Sequence, residues 1–269
     1  MNTVFRTCPI CSTDNAEKEA HKHSSPPWNL KACSNCNFLY LEEVPVYESF
    51  SEDFAWEKQY TALDEAKKAG KSPFILLLKR FFRKIRNLIP HKNMASLVDK
   101  FAIEGRVVDL GCGTGDRLLA MSGKYTPYGI EISKHLSGVA DEILKKRGGG
   151  CIHNNCIDGL KEAGEGFFSA AILRSFLEHE QQPGLLLKEA HRALQNGGVI
   201  IVKVPNYSSI NRMVMGRKWC GFRFPDHMNY FTPKSLKQIL QQAGFKIKRF
   251  SFTDSFPLND NMWIIATKS

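Results

Sequence analysis

The sequence has no long apolar run, no leader-like beginning and no internal repeat. Its longest uninterrupted apolar stretch, residues 74–78, falls far short of the roughly 18 residues that a membrane-spanning helix needs. Residues 1–9 lack the apolar segment of a secretory signal peptide. We therefore expect a soluble protein of the cytoplasm rather than a secreted or membrane-spanning one.

Acidic residues are also in deficit. Asp and Glu number 27 against 37 Lys and Arg, which gives a formal net charge of +10. This surplus is compatible with an anionic partner such as nucleic acid, a membrane surface or a phosphorylated substrate, although many basic proteins bind none of these. Hydrophobic residues make up 43% of the chain, which excludes disorder as the default expectation.

Half of the eight cysteines lie in the first 36 residues, as two Cys-x-x-Cys pairs. The pairs are Cys8 with Cys11 and Cys33 with Cys36. Two such pairs supply the four thiolates of a closed tetrahedral zinc site. A redox role would need a thioredoxin-like setting, which the sequence does not show. We predict a structural zinc ion (Zn2+) on these cysteines, in a small module over residues 1–45.

Short apolar strands alternate with helical patterns over residues 105–269, as in a sheet built from β-α-β units. A helix over residues 233–243 should end at Gly244, because glycine is favoured just after a helix. Residues 46–104 are rich in aromatic and basic side chains and are interpreted as a connector. Seven strands are predicted, at residues 106–110, 127–131, 150–153, 167–173, 199–204, 245–252 and 262–267.

The strongest motif is the loop after the first of these strands, which contains Asp-Leu-Gly-Cys-Gly-Thr-Gly. Three glycines, Gly111, Gly113 and Gly115, allow a sharp turn and a close approach of the backbone to a ligand. The loop is expected to open a helix. At the end of the second strand, Glu131 can accept hydrogen bonds from both hydroxyls of a ribose.

Two acids, Asp109 and Asp116, flank this loop. A pyrophosphate ligand would favour basic or neutral residues at such a turn. Acidic residues suit a cofactor that carries an ammonium and a sulfonium group. The pattern therefore favours an adenosyl sulfonium over a dinucleotide.

These residues resemble the first motif of class I S-adenosylmethionine-dependent methyltransferases, with Glu131 where that family has its ribose-binding acid. The resemblance covers about residues 100–269. Phe-Leu-Glu-His at 176–179 and His-Met-Asn-Tyr-Phe-Thr-Pro at 227–233 are similar to a bacterial subgroup that acts on small molecules, including polysaccharide precursors. The resemblance implies an α/β, Rossmann-like fold with a seven-stranded, mostly parallel sheet and an antiparallel C-terminal strand.

The resemblance also implies a site for S-adenosylmethionine on the loop and on the ends of the neighbouring strands. Related proteins place an acid after the third strand to contact the adenine amino group. Here Cys156 takes that position, and the backbone amide of Ile157 can still serve the ring. The residues implied at this site are Asp109, Gly111, Cys112, Gly113, Gly115, Asp116, Glu131, Ile132, Cys156, Ile157 and Arg174.

Two histidines fall beyond the carboxyl ends of strands, where open α/β sheets bind ligands. If the methyl acceptor is a hydroxyl, a base must remove its proton, and histidine suits that role near neutral pH. We predict that His227 is the general base and that Tyr230 orients the substrate, with His179 as a further catalytic candidate. A structural role for each histidine is the alternative. The aromatic segment 207–231 is either a lid over the acceptor or core beneath a loop.

Residues 74–89 carry apolar residues at helical spacing with Lys and Arg between them. Such a basic amphipathic helix can pack on the domain that follows, which we favour, or lie peripherally on the inner face of an anionic membrane.

We expect methyl transfer to a small-molecule or glycan-precursor acceptor, anionic in keeping with the basic residues of 207–231, and favour an oxygen as the methylated atom. An RNA methyltransferase is the second hypothesis, because basic charge and an N-terminal zinc module resemble ribosomal RNA guanine methyltransferases. A non-catalytic, cofactor-binding assembly subunit is the third.

Overall fold

Strands occupy residues 3–45, and strands alternate with helices over residues 94–267. The computed structural model describes residues 2–46 and 93–269. The strands there are β1 (Thr3–Phe5), β2 (Leu30–Ala32), β3 (Leu39–Leu41), β4 (Glu43–Pro45), β5 (Gly105–Leu110), β6 (Tyr125–Glu131), β7 (Gly150–His153), β8 (Phe168–Arg174), β9 (Leu194–Pro205), β10 (Asn229–Tyr230), β11 (Lys246–Arg249) and β12 (Asn261–Thr267). The α-helices are α1 (Met94–Phe101), α2 (Lys134–Lys145), α3 (Cys156–Ala163), α4 (Pro183–Ala193), α5 (Ile210–Met215) and α6 (Pro233–Gln242).

Seven strands form one sheet in the order β11-β12-β9-β8-β5-β6-β7. The pairs β9–β8, β8–β5, β5–β6 and β6–β7 are parallel, and β12 runs antiparallel to both β9 and β11. This confirms the predicted α/β fold, with its mostly parallel sheet and antiparallel C-terminal strand. The chain leaves β5 toward β6 and β7 and then returns to β8 on the other side of β5. Ligands of open α/β sheets bind at such a reversal, beyond the carboxyl ends of the strands.

The central strands are buried because helices cover both faces of the sheet. The first six residues of β8 are all buried, and the last four of β5 are buried as well. Continuous apolar runs are typical of parallel strands covered on both sides, and for this reason the central strands could be predicted from the sequence. Helix α6 begins at Pro233 behind the capping box of Thr232 and Ser235, and Gly244 follows it with a φ of +93°, as predicted.

Three predicted element boundaries were wrong. The segment after the glycine loop is a 3-10 helix, Asp116–Ala120, because the amide of Met121 already bonds to Leu118 and the chain turns there. Strand β9 starts at Leu194, which pairs with Phe168 before a register shift. Strand β11 stops at Arg249, after a bulge, and a short 3-10 helix, Phe252–Asp254, follows it.

The N-terminal module shares a sheet with the C-terminal half of the chain. Strands β2 and β3 pair, and β3 pairs on its other edge with β10, so that Tyr40 lies opposite Asn229. Leu30, Leu39 and Leu41 pack with Trp219, Met228 and Tyr230 in one buried cluster. The module is therefore joined to residues 219–230 by backbone pairing and by a common core.

Helix α1 packs on the large sheet through Leu97 and Val98, and the hydroxyl of Tyr125 donates to the carbonyl of Val98 at 3.1 Å. The basic segment 74–89 lies outside the described residues. Among the residues that are described, no helix combines the length and apolar character needed to cross a bilayer.

Candidate active site

The glycine loop lies at the carboxyl end of β5, at the reversal of strand order. Gly111 has a φ of +72°, and a Cβ there would meet the ring of Phe176 at 2.4 Å. Gly113 has a φ of +57°, and a Cβ there would meet nothing within 4 Å. A larger residue at position 111 would clash with the ring of Phe176, whereas a side chain at position 113 would enter open space. A ligand can approach the backbone at Gly113, as the sequence predicted.

The carboxylate of Glu131, at the end of β6, is hydrogen-bonded to the backbone of the glycine loop. It accepts hydrogen bonds from the amide of Gly113 at 3.0 Å and from the amide of Ser133 at 2.9 Å. Each carboxylate oxygen has a further lone pair, so the group can still accept from ribose hydroxyls. The expected meeting of loop and acid is present in the structure.

The acids beside the loop differ in environment. Asp109 is buried, and its burial raises the pKa of the carboxyl to about 7, with Arg117 and Arg174 opposing that rise. Asp116 is exposed and accepts a hydrogen bond from the hydroxyl of Thr114 at 2.6 Å. A bound cationic group would therefore convert the Asp109 carboxyl from its partly protonated form to its ionised form.

Several residues implied at the cofactor site have buried or half-buried side chains. The thiol of Cys112 is buried against Gly129 and lies 3.7 Å from the thiol of Cys151. Cys156 is buried at the start of α3 and contacts the backbone of Gly111. Ile157 is buried, while Ile132 is half-buried and its carbonyl accepts from the ring of His153 at 3.1 Å.

A cleft of about 160 Å³ opens beyond the ends of β8 and β9. The cleft lies near the glycine loop, because Phe176, which follows the lining residue Ser175 in the chain, packs against Gly111. The cleft is lined by Ser175, Glu178, His179, Pro205, Trp219, Cys220, Gly221, Arg223, His227, Asp260 and Asn261. Both predicted catalytic histidines are therefore brought to one cleft.

His179 is held by Asp226. Its Nδ1 lies 2.8 Å from the Asp226 carbonyl oxygen and 2.9 Å from the carboxylate oxygen Oδ1. Burial lowers the pKa of this imidazole, but the carboxylate of Asp226 outweighs burial and raises it. Burial would raise the pKa of Asp226, yet the neighbouring His179 lowers it to about 2. The two groups form a carboxylate–imidazole pair at the edge of the cleft.

His227 has the opposite character. Its Nδ1 lies 2.8 Å from the carbonyl oxygen of Gly221, and its ring packs edge-to-face on His179 with centroids 4.7 Å apart. Burial and the neighbouring His179 lower its pKa to about 3. The ring is therefore neutral at physiological pH. Tyr230, the predicted substrate-orienting residue, is buried in the cluster that joins the module to the loop and is not among the cleft-lining residues.

Sequence reasoning assigned no role to Glu178 and Ser175, which line this cleft, or to Asp226, which lies behind His179. Glu178 is 1% exposed, and burial raises the pKa of its carboxyl to about 7. Asp226 orients His179, as described above. Ser175 has a φ of +56° where β8 ends, which is uncommon for a residue with a side chain. Glu178 and Asp226 could have been predicted, because each directly precedes one of the two histidines in the sequence. Nothing in the sequence predicted the positive φ of Ser175.

The aromatic residues of segment 207–231 are core rather than lid. Tyr207, Phe222 and Phe224 are partly buried against the cluster that contains Trp219 and Tyr230. Trp219 also donates its indole N–H to Asp260 at 2.8 Å. These rings pack against the strands of the N-terminal module and against Met228, which follows His227.

The four N-terminal cysteines converge. Their sulfur atoms lie within 4.8 Å of one another, and three of the pairs are separated by 3.4–3.5 Å. All four are free thiols. Sulfurs around a tetrahedral zinc ion lie about 3.8 Å apart, since each is about 2.3 Å from the metal. The donor set and its spacing fit such an ion.

Comparisons with known proteins bear on the fold and on the family of this chain. An uncharacterized protein of Methanocaldococcus jannaschii is 27% identical over 161 residues, which is 60% of this chain and 74% of that protein. An S-adenosylmethionine-dependent methyltransferase structure from Clostridium acetobutylicum has a TM-score of 0.53 at 12% identity, over 73% of this chain and 99% of that one.

A second methyltransferase structure, from Thermotoga maritima, has a TM-score of 0.50 at 20% identity, over 73% of this chain and 97% of that one. Structural similarity at these identities shows the fold. The family is shown by the sequence itself, because residues 78–249 match the family described as a methyltransferase domain. The chain therefore belongs to the methyltransferase domain family, and this membership supports methyl transfer from S-adenosylmethionine.

Proposed function

We propose that this protein is a cytoplasmic enzyme that methylates a hydroxyl oxygen of a small-molecule or glycan-precursor acceptor. The observation that carries the proposal is the pair of histidines, His179 and His227, in a cleft near the glycine loop. S-adenosylmethionine supplies an activated methyl group when bound. The protein must then hold the acceptor oxygen in line with that group and assist the loss of its proton.

In this proposal the glycine loop and the ends of β5 and β6 hold the cofactor. Glu131 accepts from the ribose hydroxyls, and the open face at Gly113 receives the ligand against the backbone. Asp109 and Asp116 supply negative charge for the ammonium group. Cys156 has its thiol against the backbone of Gly111, so Ile157, whose amide follows it, is the better candidate for contact with the adenine ring.

The acceptor hydroxyl is placed in the cleft against the imidazoles of His179 and His227. His227 was the base favoured by the sequence, but a neutral ring with a pKa near 3 is a weak base on its own. His179 carries the Asp226 carboxylate behind it, which favours a positive charge on its ring. The proposal therefore assigns proton removal to the two-histidine site rather than to His227 alone, and it assigns Tyr230 to the support of the loop.

Basic side chains near the cleft support an anionic acceptor. Arg223 lines the cleft, although it pairs with Asp226 at 2.9 Å. Lys203 and Arg174 lie close enough to each other at the ends of β8 and β9 to interact electrostatically. A phosphorylated sugar or a sugar nucleotide would be attracted by these charges.

We also propose that Cys8, Cys11, Cys33 and Cys36 bind one zinc ion with a structural role. A four-thiolate site is closed to water and to substrate, so the ion would not take part in the chemistry. The ion would stabilise the module. Strand β3 of the module pairs with β10, which begins two residues after His227.

The proposal is tested first by cofactor binding and then by methyl transfer to an acceptor. Isothermal titration with S-adenosylhomocysteine should show one site per chain, and absence of binding at millimolar ligand would contradict the proposed cofactor site. Methyl-labelled S-adenosylmethionine should then label a nucleotide sugar or related hydroxyl acceptor from a panel of candidates. Label in ribosomal RNA, with none in the small-molecule panel, would contradict the proposed acceptor class.

A further inference from the structure

Three residues with metal-binding side chains converge in the cleft. Glu178, His179 and His227 each place one potential ligand atom within 4.8 Å of those of the other two. All three line the cleft, and Glu178 and His227 are buried. The cluster is separate from the four N-terminal cysteines and differs from them in chemistry, because it offers nitrogen and oxygen instead of sulfur.

Both imidazoles are oriented as metal ligands usually are. The Nδ1 of His227 faces the carbonyl oxygen of Gly221, and a carbonyl can only accept, so this nitrogen carries the hydrogen. The Nδ1 of His179 faces only acceptors on Asp226, and the same reasoning applies. Each neutral ring therefore has its lone pair on Nε2. Metal-binding histidines characteristically donate their other ring N–H to a carboxylate or carbonyl in this way.

Glu178 supplies the second, independent observation. Its side chain is 1% exposed, and its Oε1 lies 4.0 Å from Nε2 of His179. Among the described residues, its Oε2 has no hydrogen-bond partner. Burying a carboxylate without a partner is costly, and native structures usually avoid it. A cation between the carboxylate and the two rings would satisfy this oxygen.

We propose that Glu178, His179 and His227 bind a divalent first-row transition metal ion, such as Mn2+ or Fe2+. Two imidazoles and one carboxylate are a donor set that such ions accept with coordination positions left open. Ligand atoms about 2.1 Å from an ion lie roughly 3.0–3.5 Å apart, so the three side chains would close by about 1 Å on binding. Asp226 and the Gly221 carbonyl would act as positioning groups that fix the rings.

This inference rests on the proposed function and deepens it. The open coordination positions would face the cleft, where the acceptor is placed. A bound cation lowers the pKa of a coordinated hydroxyl, so the hydroxyl proton can pass to solvent water in the open cleft. The two-histidine site would then bring about proton removal through its imidazoles as metal ligands, not as proton acceptors. Acceptors with a second oxygen next to the methylated hydroxyl would then be favoured, since they can occupy two coordination positions.

The first test is a titration with Mn2+, followed by electron paramagnetic resonance, on the full chain with its cysteine module intact. Mn2+ is a suitable probe because hard ions prefer carboxylate and imidazole over thiolate. One bound ion per chain is expected, with affinity reduced at least about tenfold in Glu178→Gln and in His227→Ala. The matched controls, Glu162→Gln and His135→Ala, change exposed residues and should bind Mn2+ as the wild type does.

A second measurement does not depend on any variant. Pulsed electron paramagnetic resonance of the Mn2+ complex should show coupling to two imidazole nitrogens. Absence of Mn2+ binding, binding without nitrogen coupling, or unchanged affinity in both site variants would overturn the proposal. Titration of the same samples with S-adenosylhomocysteine separates the outcomes: retained cofactor binding without metal leaves the proposed function standing, whereas loss of both contradicts the function itself.

Discussion

At the scale of single residues, Gly111 is the position where the loop tolerates the least change. Its φ is +72°, and a Cβ would lie 2.4 Å from the ring of Phe176. We expect Gly111→Ala to lower the free energy of unfolding by about 2 kcal/mol, because it combines left-handed backbone strain with a clash. Cofactor affinity should fall at least tenfold, as the clash displaces the loop.

Denaturant unfolding and titration with S-adenosylhomocysteine measure both effects. Gly123→Ala is the matched control, because Gly123 is outside the left-handed region and a Cβ there would meet nothing within 4 Å. Its change in stability should stay within about 0.5 kcal/mol. Equal effects of the two substitutions would contradict the account of the loop.

We expect Asp109 to make cofactor binding dependent on pH. Burial raises its pKa from 3.8 to about 7, so in the free protein the carboxyl is largely protonated below pH 7. Since its pKa in the folded chain exceeds that in the unfolded chain, its contribution to stability is present at low pH and is lost as the pH rises through about 7. A bound ammonium group favours the ionised form and reverses that loss.

Affinity for S-adenosylhomocysteine should therefore increase between pH 6 and pH 8, by up to about tenfold per pH unit below the pKa. Titrations at three pH values check this. Asp109→Asn should flatten the profile, and a wild-type profile that is already flat would show that Asp109 does not sense the ligand.

At the scale of elements, Arg6 ties the N-terminal module to the loop that carries His227. Its guanidinium donates to the carbonyls of Leu41 and Met228 at 2.9 Å each, to the carbonyl of Gln181 at 2.9 Å, and to the side-chain oxygen of Asn229 at 3.1 Å. One side chain thus bridges β3, β10 and the start of α4. Sequence reasoning gave no sign of this role.

We expect Arg6→Ala to cost about 2–4 kcal/mol of unfolding free energy, because several partly buried carbonyls lose a charged donor. Methyl transfer should fall more than cofactor affinity, since the change lies behind β10 and not at the glycine loop. The comparison is Arg217→Ala, which removes an exposed link to Lys22 between the same two parts of the chain. That variant should lose less than about 1 kcal/mol.

The elements that the sequence identified correctly are those with local determinants. Apolar runs identified the central strands, and Pro233 with Gly244 bounded α6. Elements that depend on distant partners were misplaced or missed. Strand β10 is only two residues long and exists because β3 is beside it, and no local pattern encodes such a pairing.

At the scale of the whole molecule, metal in the module should affect a site far from it in sequence. Cys8 and Cys33 belong to the same hydrophobic cluster as the main sheet, and β3 pairs with β10. We expect Cys8→Ser to abolish the proposed zinc binding and to lower the midpoint of thermal unfolding by about 10 °C, because a four-thiolate metal site would supply much of the stability of the module.

Metal analysis and circular dichroism measure these effects, with Ser34→Ala, an exposed position of the same module, as control. Loss of methyl transfer should accompany loss of zinc. A zinc-free Cys8→Ser protein with unchanged melting and activity would show that the module is independent of the cleft.

The sequence alone determined the fold class, the loop and acid that are proposed to bind the cofactor, and the four-cysteine module, because each depends on residue types at fixed short spacings. Only the tertiary structure placed Glu178, His179 and His227 in one cleft, put Asp226 behind the first imidazole, and made the N-terminal module a support for β10. These features join residues that are far apart along the chain. Contacts of that kind follow from the packing of elements against one another, which local sequence does not specify.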